Sequence, residues 1–135
     1  MFEQTTQVRV RYAETDQMGY VYYGNYATYF EVARVESLRS LGLSYKELED
    51  QGVMMPVLEN KSKYLAPAKY DELLTIKTTI KKKPAVRIQF DYEIYNESDK
   101  LIHIGETVLV FVDMKTGMPC LQPEMMAKLL NPFFD

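Results

Sequence analysis

The sequence predicts an α+β domain in which a curved antiparallel sheet of five strands wraps around one long helix. Three observations carry that reading. Helical periodicity is sustained over one long stretch only, about 24 to 41. From Val53 onward the period changes to two and mostly stays there. The links between the alternating stretches are short, which favours antiparallel neighbours, and the single long helix must then cover the apolar face of the sheet. The 135 residues, 47% apolar and 26% charged, are enough for one sizeable core, so residues 1–135 are expected to form one domain.

The elements follow in order. Residues 6–13 alternate, with Val8, Val10 and Tyr12 on one side and Arg9 and Arg11 on the other, the pattern of a strand. The turn-prone stretch TDQMGYVYYGN leads into the helix, with Asn25 as its N-cap and Gly42 as its stop. Tyr26, Phe30, Ala33, Leu38 and Leu41 project within an arc of roughly 140° at helical spacing and form the core-facing stripe. Arg34 falls inside that arc and is expected to meet a carboxylate, either Glu31 or one across an interface. A short second helix is expected over Ser44 to Gln51, ending at Gly52. Strands follow near 55–65, 72–83, 86–97 and 101–113. Val86, Ile88, Phe90, Tyr92 and Ile94 alternate with Arg87, Gln89, Asp91 and Glu93, and Leu74, Ile76, Thr78 and Ile80 share one side of the strand before. Asn96 to Lys100 reads as a hairpin turn, and Pro123 to Leu130 as a last short helix.

Composition narrows the function classes. A formal net charge of -3 argues against nucleic acid as the main partner, because phosphate binding needs a basic footprint. No apolar run approaches the roughly 18 residues of a membrane span, and the alternating N-terminus does not read as a signal peptide. Cys120 is the only cysteine, which fits a reducing compartment, so a cytoplasmic protein is expected. With His103 the only histidine, preferred ligands for a structural zinc are too few, and no metal is expected. The sequence contains neither a G-x-S-x-G elbow nor a phosphate-binding glycine loop.

The informative segment is Tyr12 to Tyr26, YAETDQMGYVYYGNY, which sets Glu14 and Asp16 at a strand end before a glycine turn and a helix start. A helix N-terminus offers unpaired N–H groups that can polarise a carbonyl and hold a developing oxyanion. A carboxylate facing it can attack that carbonyl or activate water. By spacing alone the signal is weak, and a simpler arrangement is favoured, in which Thr15 and Asp16 shape a turn and Asn25 caps a helix.

The stretch VRVRYAETDQMGYVYYGNYATYFEVARVESLRSLG resembles the opening signature of hotdog-fold acyl-CoA thioesterases of the 4-hydroxybenzoyl-CoA thioesterase-like family. The register continues through YLAPAKYDELLTIKTTI, similar to that family's PA-x-x-x-D-x-L segment, and through GETVLVFVD, similar to its last strand. The resemblance implies a hotdog fold, homodimers that join two sheets, often dimers of dimers (homotetramers), and an active site between protomers at the N-terminus of the long helix. It places the catalytic aspartate on Asp16, the carbonyl-polarising backbone N–H near Tyr23 beside Gly24, and the residue that shapes the helix start on Asn25. Glu14 is expected at the surface or the strand end. Many relatives read V-Y-H-x-N-Y where this chain has Val21-Tyr22-Tyr23-Gly24-Asn25-Tyr26; a backbone donor is indifferent to that change, whereas any work of a histidine side chain is lost.

The implied reaction is hydrolysis of an acyl-CoA thioester without cofactor, an acyl carrier protein thioester being the alternative substrate and a non-catalytic acyl-CoA-binding module the alternative function. Tyr22, Tyr26 and Met55 are candidates for the acyl pocket. Lys61, Lys63, Lys81, Lys82, Lys83 and Arg87 are candidates for the nucleotide end, although a solvated lysine cluster on strand edges fits the same pattern. The 11 tyrosines equally suit core and interface positions.

Overall fold

The computed structural model describes residues 1–134. Strand β1 (Phe2–Arg9) leads through a 3-10 turn and a tight hairpin to helix α1 (Tyr26–Ser40) and the short helix α2 (Tyr45–Asp50). Strands β2 (Val53–Met54), β3 (Val57–Tyr64), β4 (Leu73–Ile80), β5 (Arg87–Tyr95), β6 (Leu101–Val110) and β7 (Val112–Asp113) follow, and helix α3 (Glu124–Leu130) comes last. Five strands form one antiparallel sheet in the order β1-β4-β5-β6-β3, and β2 pairs with β7 in a separate ribbon. One long helix lies against one face of this sheet, the hotdog arrangement expected from the sequence.

The expected alternation sorts the two faces. Ile88, Phe90, Tyr92 and Ile94 are buried, as are Leu74, Ile76, Thr78 and Ile80, and they pack under Tyr29, Phe30, Ala33 and Leu38 of α1. Each such fully buried aliphatic or aromatic side chain contributes about 1.5–3 kcal/mol by removal from water. Phe30 stacks flat on Tyr92, with centroids 4.2 Å apart. That contact needs Gly105, because a Cβ built there would lie 2.2 Å from Phe30 Cζ. The residue is glycine where helix and sheet approach closest.

Several boundaries move. β1 begins at Phe2 rather than near residue 6, and Tyr12 leaves the inward face to stand 78% exposed in the 3-10 turn. The strand expected over 101–113 breaks after Val110: Phe111 N–H bonds Val86 O, and Val112 turns to face Met54. Lys81 to Lys83 lie beyond the end of β4. Arg34 is buried as its place in the arc required, but the expected carboxylate, Glu31, is not its partner. Its guanidinium donates to the hydroxyls of Tyr45 (3.3 Å), Tyr92 (3.0 Å) and Thr107 (3.2 Å), and Thr107 donates on to Asn60 in β3. Three hydroxyls from three distant elements replace one anion, so the cation is solvated by dipoles.

β3 forms an edge of the sheet, and every residue in it is exposed. Val57, Leu58 and Tyr64 on this edge, with Leu65 just beyond, are 44–54% exposed. A long edge with apolar side chains is an unusual feature for a chain to leave open.

Candidate active site at the start of the long helix

The chain between β1 and α1 folds into a small hairpin. Thr15 and Val21 bridge, Asp16 N–H donates to Tyr20 O at 2.8 Å, and Gly19 N–H returns to Asp16 O at 3.0 Å. Gly19 sits at φ +82, a conformation that L side chains adopt at a cost, so the turn uses glycine. Val21 N–H bonds Ala68 O at 2.8 Å, pinning the returning limb to the segment before β4.

Within this turn the Asp16 carboxylate is held asymmetrically. Oδ1 accepts from the N–H groups of Met18 (2.9 Å) and Tyr20 (3.2 Å), while among the described residues no donor is bonded to Oδ2. One oxygen fixes the carboxylate and the other carries no such bond. The turn-shaping arrangement weighed from the sequence is the one the structure shows, with Oδ1 accepting from the turn.

The helix begins with a 3-10 turn, Tyr23–Asn25, whose first bonded donor is Asn25 N–H to Tyr22 O at 2.9 Å. The N–H groups of Tyr23 and Gly24 precede that donor and have no partner within the turn. Gly24 leaves room for the Tyr22 ring, which a Cβ would meet at 2.8 Å. Asn25 stands at the N-cap, yet its side chain does not accept from the helix. It donates from Nδ2 to Glu14 O at 2.8 Å, so it ties the helix start to the hairpin instead of capping.

Glu14 departs most from expectation. It is buried, not at the surface, with 8% exposure. Its Oε1 accepts from Arg11 N–H (2.8 Å) and from Tyr29 Oη–H (2.9 Å), and its Oε2 accepts from Arg11 Nε (3.0 Å) and Nη2 (2.8 Å). Burial alone would raise its pKa, but the hydrogen bonds from Arg11 and Tyr29 outweigh it and hold the carboxyl below the usual range. Tyr29 is raised in turn, by burial and then by that carboxylate. The local signal for the ion pair was present in the i, i+3 spacing of Arg11 and Glu14; the Tyr29 contact, 15 residues away, had none.

Asp16 and Tyr23 line one cleft of about 300 Å³ together with Met18, Tyr20, Val21, Tyr26 and Tyr64. Its walls are largely apolar and aromatic, the setting in which a carboxylate and backbone dipoles act most strongly. Behind Tyr26 lies His103, fully buried, its ring stacked on that of Tyr26 with centroids 3.9 Å apart.

The other candidates are placed apart. Tyr22 is 45% exposed and packs on the Tyr23 ring rather than in the cleft. Met55 borders a small depression with Tyr45 and Leu48 at α2. Lys61 pairs with Glu106 at 3.2 Å, and Lys63 borders the same outer depression near Asp91 and Ile104. Lys82, Lys83 and Arg87 border a second depression of about 500 Å³ with Glu59 and Gln89. None of these basic residues reaches the Asp16 cleft within one chain.

Comparison with known proteins agrees with this architecture. The model of the Thioesterase-like superfamily matches residues 10–130. YneP of Bacillus subtilis (strain 168), named a putative acyl-CoA thioesterase, is 34% identical over 113 residues, covering 84% of this chain and 82% of that one. The acyl-CoA thioester hydrolase YbgC of Escherichia coli O157:H7 is 35% identical over 117 residues, covering 87% of each. Among solved structures, a DHNA-CoA thioesterase from Staphylococcus aureus superposes with a TM-score of 0.89 at 37% identity, covering 98% of this chain and 95% of that one. A hairpin-held aspartate beside the open N-terminus of one long, sheet-wrapped helix, in a chain matched over almost its whole length, identifies this protein as a hotdog-fold thioesterase of the Thioesterase-like superfamily.

Proposed function

We propose that this chain hydrolyses the thioester of an acyl-CoA to the free acid and CoA, with Asp16 as the working carboxylate. The observation that carries this is the asymmetry at Asp16: Oδ1 is fixed by two backbone N–H groups, Oδ2 has no bonded donor among the described residues, and Asp16 borders a largely apolar cleft that Tyr23 also lines. The acyl group occupies this cleft between Tyr20, Tyr26 and Tyr64. The thioester carbonyl accepts from the backbone N–H of Tyr23, with Gly24 beside it, so negative charge building on oxygen meets the positive end of α1. Asp16 Oδ2 either attacks the carbonyl carbon, expelling CoA thiolate and leaving an anhydride for water to cleave, or takes a proton from the water that attacks. Thioesters are reactive acyl donors, so a positioned carboxylate and one oxyanion donor suffice, and the reaction as written draws on no metal or cofactor.

The names of the relatives support CoA as the carrier. The nucleotide phosphates are assigned to the depression bordered by Lys82, Lys83 and Arg87. The exposed edge β3 is assigned to pairing with a second copy, which would cover Val57, Leu58 and Tyr64 and add a wall to the cleft that Tyr64 and Leu65 already line.

Thiol release from short, long and aromatic acyl-CoAs, beside the same acyl groups on acyl carrier protein, tests the assignment. Cys120 is half-buried, so a control without substrate corrects for its labelling. Turnover of at least one acyl-CoA class supports the proposal. Turnover of carrier-protein thioesters alone would replace the substrate, and binding without turnover would leave only an acyl-CoA-binding module.

A further inference from the structure

We propose that Glu14 is a positioning residue of this site, whose carboxylate locks the turn carrying Asp16 to the core-facing side of α1. The inference rests on the reading that Asp16 and the Tyr23 N–H are the working groups. Glu14 lies two residues before Asp16, and both ends of the residue are used. Its carboxylate takes four donors: Arg11 N–H, Arg11 Nε, Arg11 Nη2 and Tyr29 Oη–H, at 2.8–3.0 Å. Its carbonyl takes two more, Tyr22 N–H at 2.9 Å and Asn25 Nδ2 at 2.8 Å. These partners belong to the segment just after β1, the core-facing side of α1, the returning limb of the hairpin and the helix start.

The consequence is geometric. Tyr22 immediately precedes Tyr23, so the bond from Tyr22 N–H to Glu14 O sets where the oxyanion donor stands. The bond from Tyr29, itself only 1% exposed, ties the same residue to the rigid interior of the helix. Asp16 and Tyr23 are seven residues apart in sequence, and no hydrogen bond joins them directly among the described residues. The hairpin bonds of Asp16 and Val21 set the path of the chain between them, and Glu14 adds the tie from that hairpin to the interior of α1. A carboxylate is suited to this because it accepts from several donors at once, and an ionised acceptor makes the stronger bonds. A glutamine of the same shape turns an N–H₂ toward the Arg11 guanidinium and breaks that side of the cluster. Tyr29→Phe removes only the helix anchor while keeping the ring in the core. Small displacements of a reacting group cost rate rather than substrate binding, which separates positioning from a general loss of fold.

The experiment measures kcat and KM for Glu14→Gln and Tyr29→Phe on the best acyl-CoA substrate, at least about 15 °C below each variant's unfolding midpoint. Glu14→Gln is then repeated in the Asp16→Asn background. Expected are a fall in kcat of about 10- to 100-fold for Glu14→Gln and about 3- to 10-fold for Tyr29→Phe, with KM changed less than about 3-fold. Most of the Glu14→Gln effect should vanish once Asp16 is replaced, because a residue acting through Asp16 has nothing left to position. Wild-type kcat in both single variants would overturn the proposal, as would a Glu14→Gln loss that persists in full beside Asp16→Asn. An Asp16→Asn variant as active as wild type is a separate failure, of the Asp16 reading itself.

Discussion

Lowering the pH from 7 to 4.5 should unload stability through one residue, His103. Its ring is fully buried, stacked on Tyr26, edge-on to Tyr64 at 4.8 Å and beside Phe30. Nε2 lies 3.0 Å from Ser62 Oγ, and Nδ1 is buried without a partner among the described residues. Protonation would place a cation among aromatic rings with no carboxylate bonded to it, so burial pushes the pKa down to about 4 from its ordinary 6.5. The unfolded chain takes up the proton near pH 6.5 and the folded chain only near 4. Stability is therefore flat above pH 6.5 and falls as the pH drops through the window from 6.5 to 4. A shift of that size corresponds to a loss of about 3 kcal/mol across the whole window, at about 1.4 kcal/mol per unit. Urea unfolding at pH 7, 6, 5 and 4.5, for wild type and for the non-titrating His103→Phe, measures it. The curves should diverge by about 2 kcal/mol between pH 7 and 4.5, whatever the offset between them at pH 7. Because His103 is the only histidine, its imidazole proton is also a single assignable resonance. Parallel curves, or a resonance titrating near pH 6.5 in the folded protein, would refute the reasoning.

Two further outcomes are expected. Gly105→Ala drives Phe30 off its stack with Tyr92 and should cost about 1–3 kcal/mol, read as a lowered urea midpoint at unchanged slope; an unchanged midpoint would mean the helix rides further from the sheet than the Phe30 contact indicates. Replacing Lys82 and Arg87 together by glutamate should raise KM for acyl-CoA about 10-fold or more, in a salt-dependent way, and leave turnover of an N-acetylcysteamine thioester unchanged, since that substrate carries no phosphate; equal effects on both would move the nucleotide site elsewhere.

The sheet and the helix were legible because their faces differ in chemistry. Val86 to Ile94 alternates cleanly, and the structure buries Ile88, Phe90, Tyr92 and Ile94 as that alternation requires. The beginning of β1 was not legible: Glu3, Gln4, Thr5 and Thr6 carry no apolar contrast, and their pairing with β4 is made by backbone bonds that no side-chain pattern announces. Arg34 illustrates a half-legible case. Its place in the apolar arc shows that it must be satisfied, but the partners Tyr45, Tyr92 and Thr107 are brought together only by tertiary folding. The same limit hid Glu14. Periodicity reads which residues share an element's face, and Glu14 lies in a turn where its partners come from four directions.

The central claim is that the free oxygen of Asp16, beside the open start of α1, cleaves the thioester. The most direct test is Asp16→Asn, which keeps the side-chain oxygen that can accept from Met18 and Tyr20 but removes the negative charge. Substrate affinity by calorimetry and single-turnover thiol release, measured on the same preparation, separate binding from chemistry. The account predicts affinity within about 3-fold of wild type and thiol release slowed by about 100-fold or more. Equal release rates in the two proteins would contradict it.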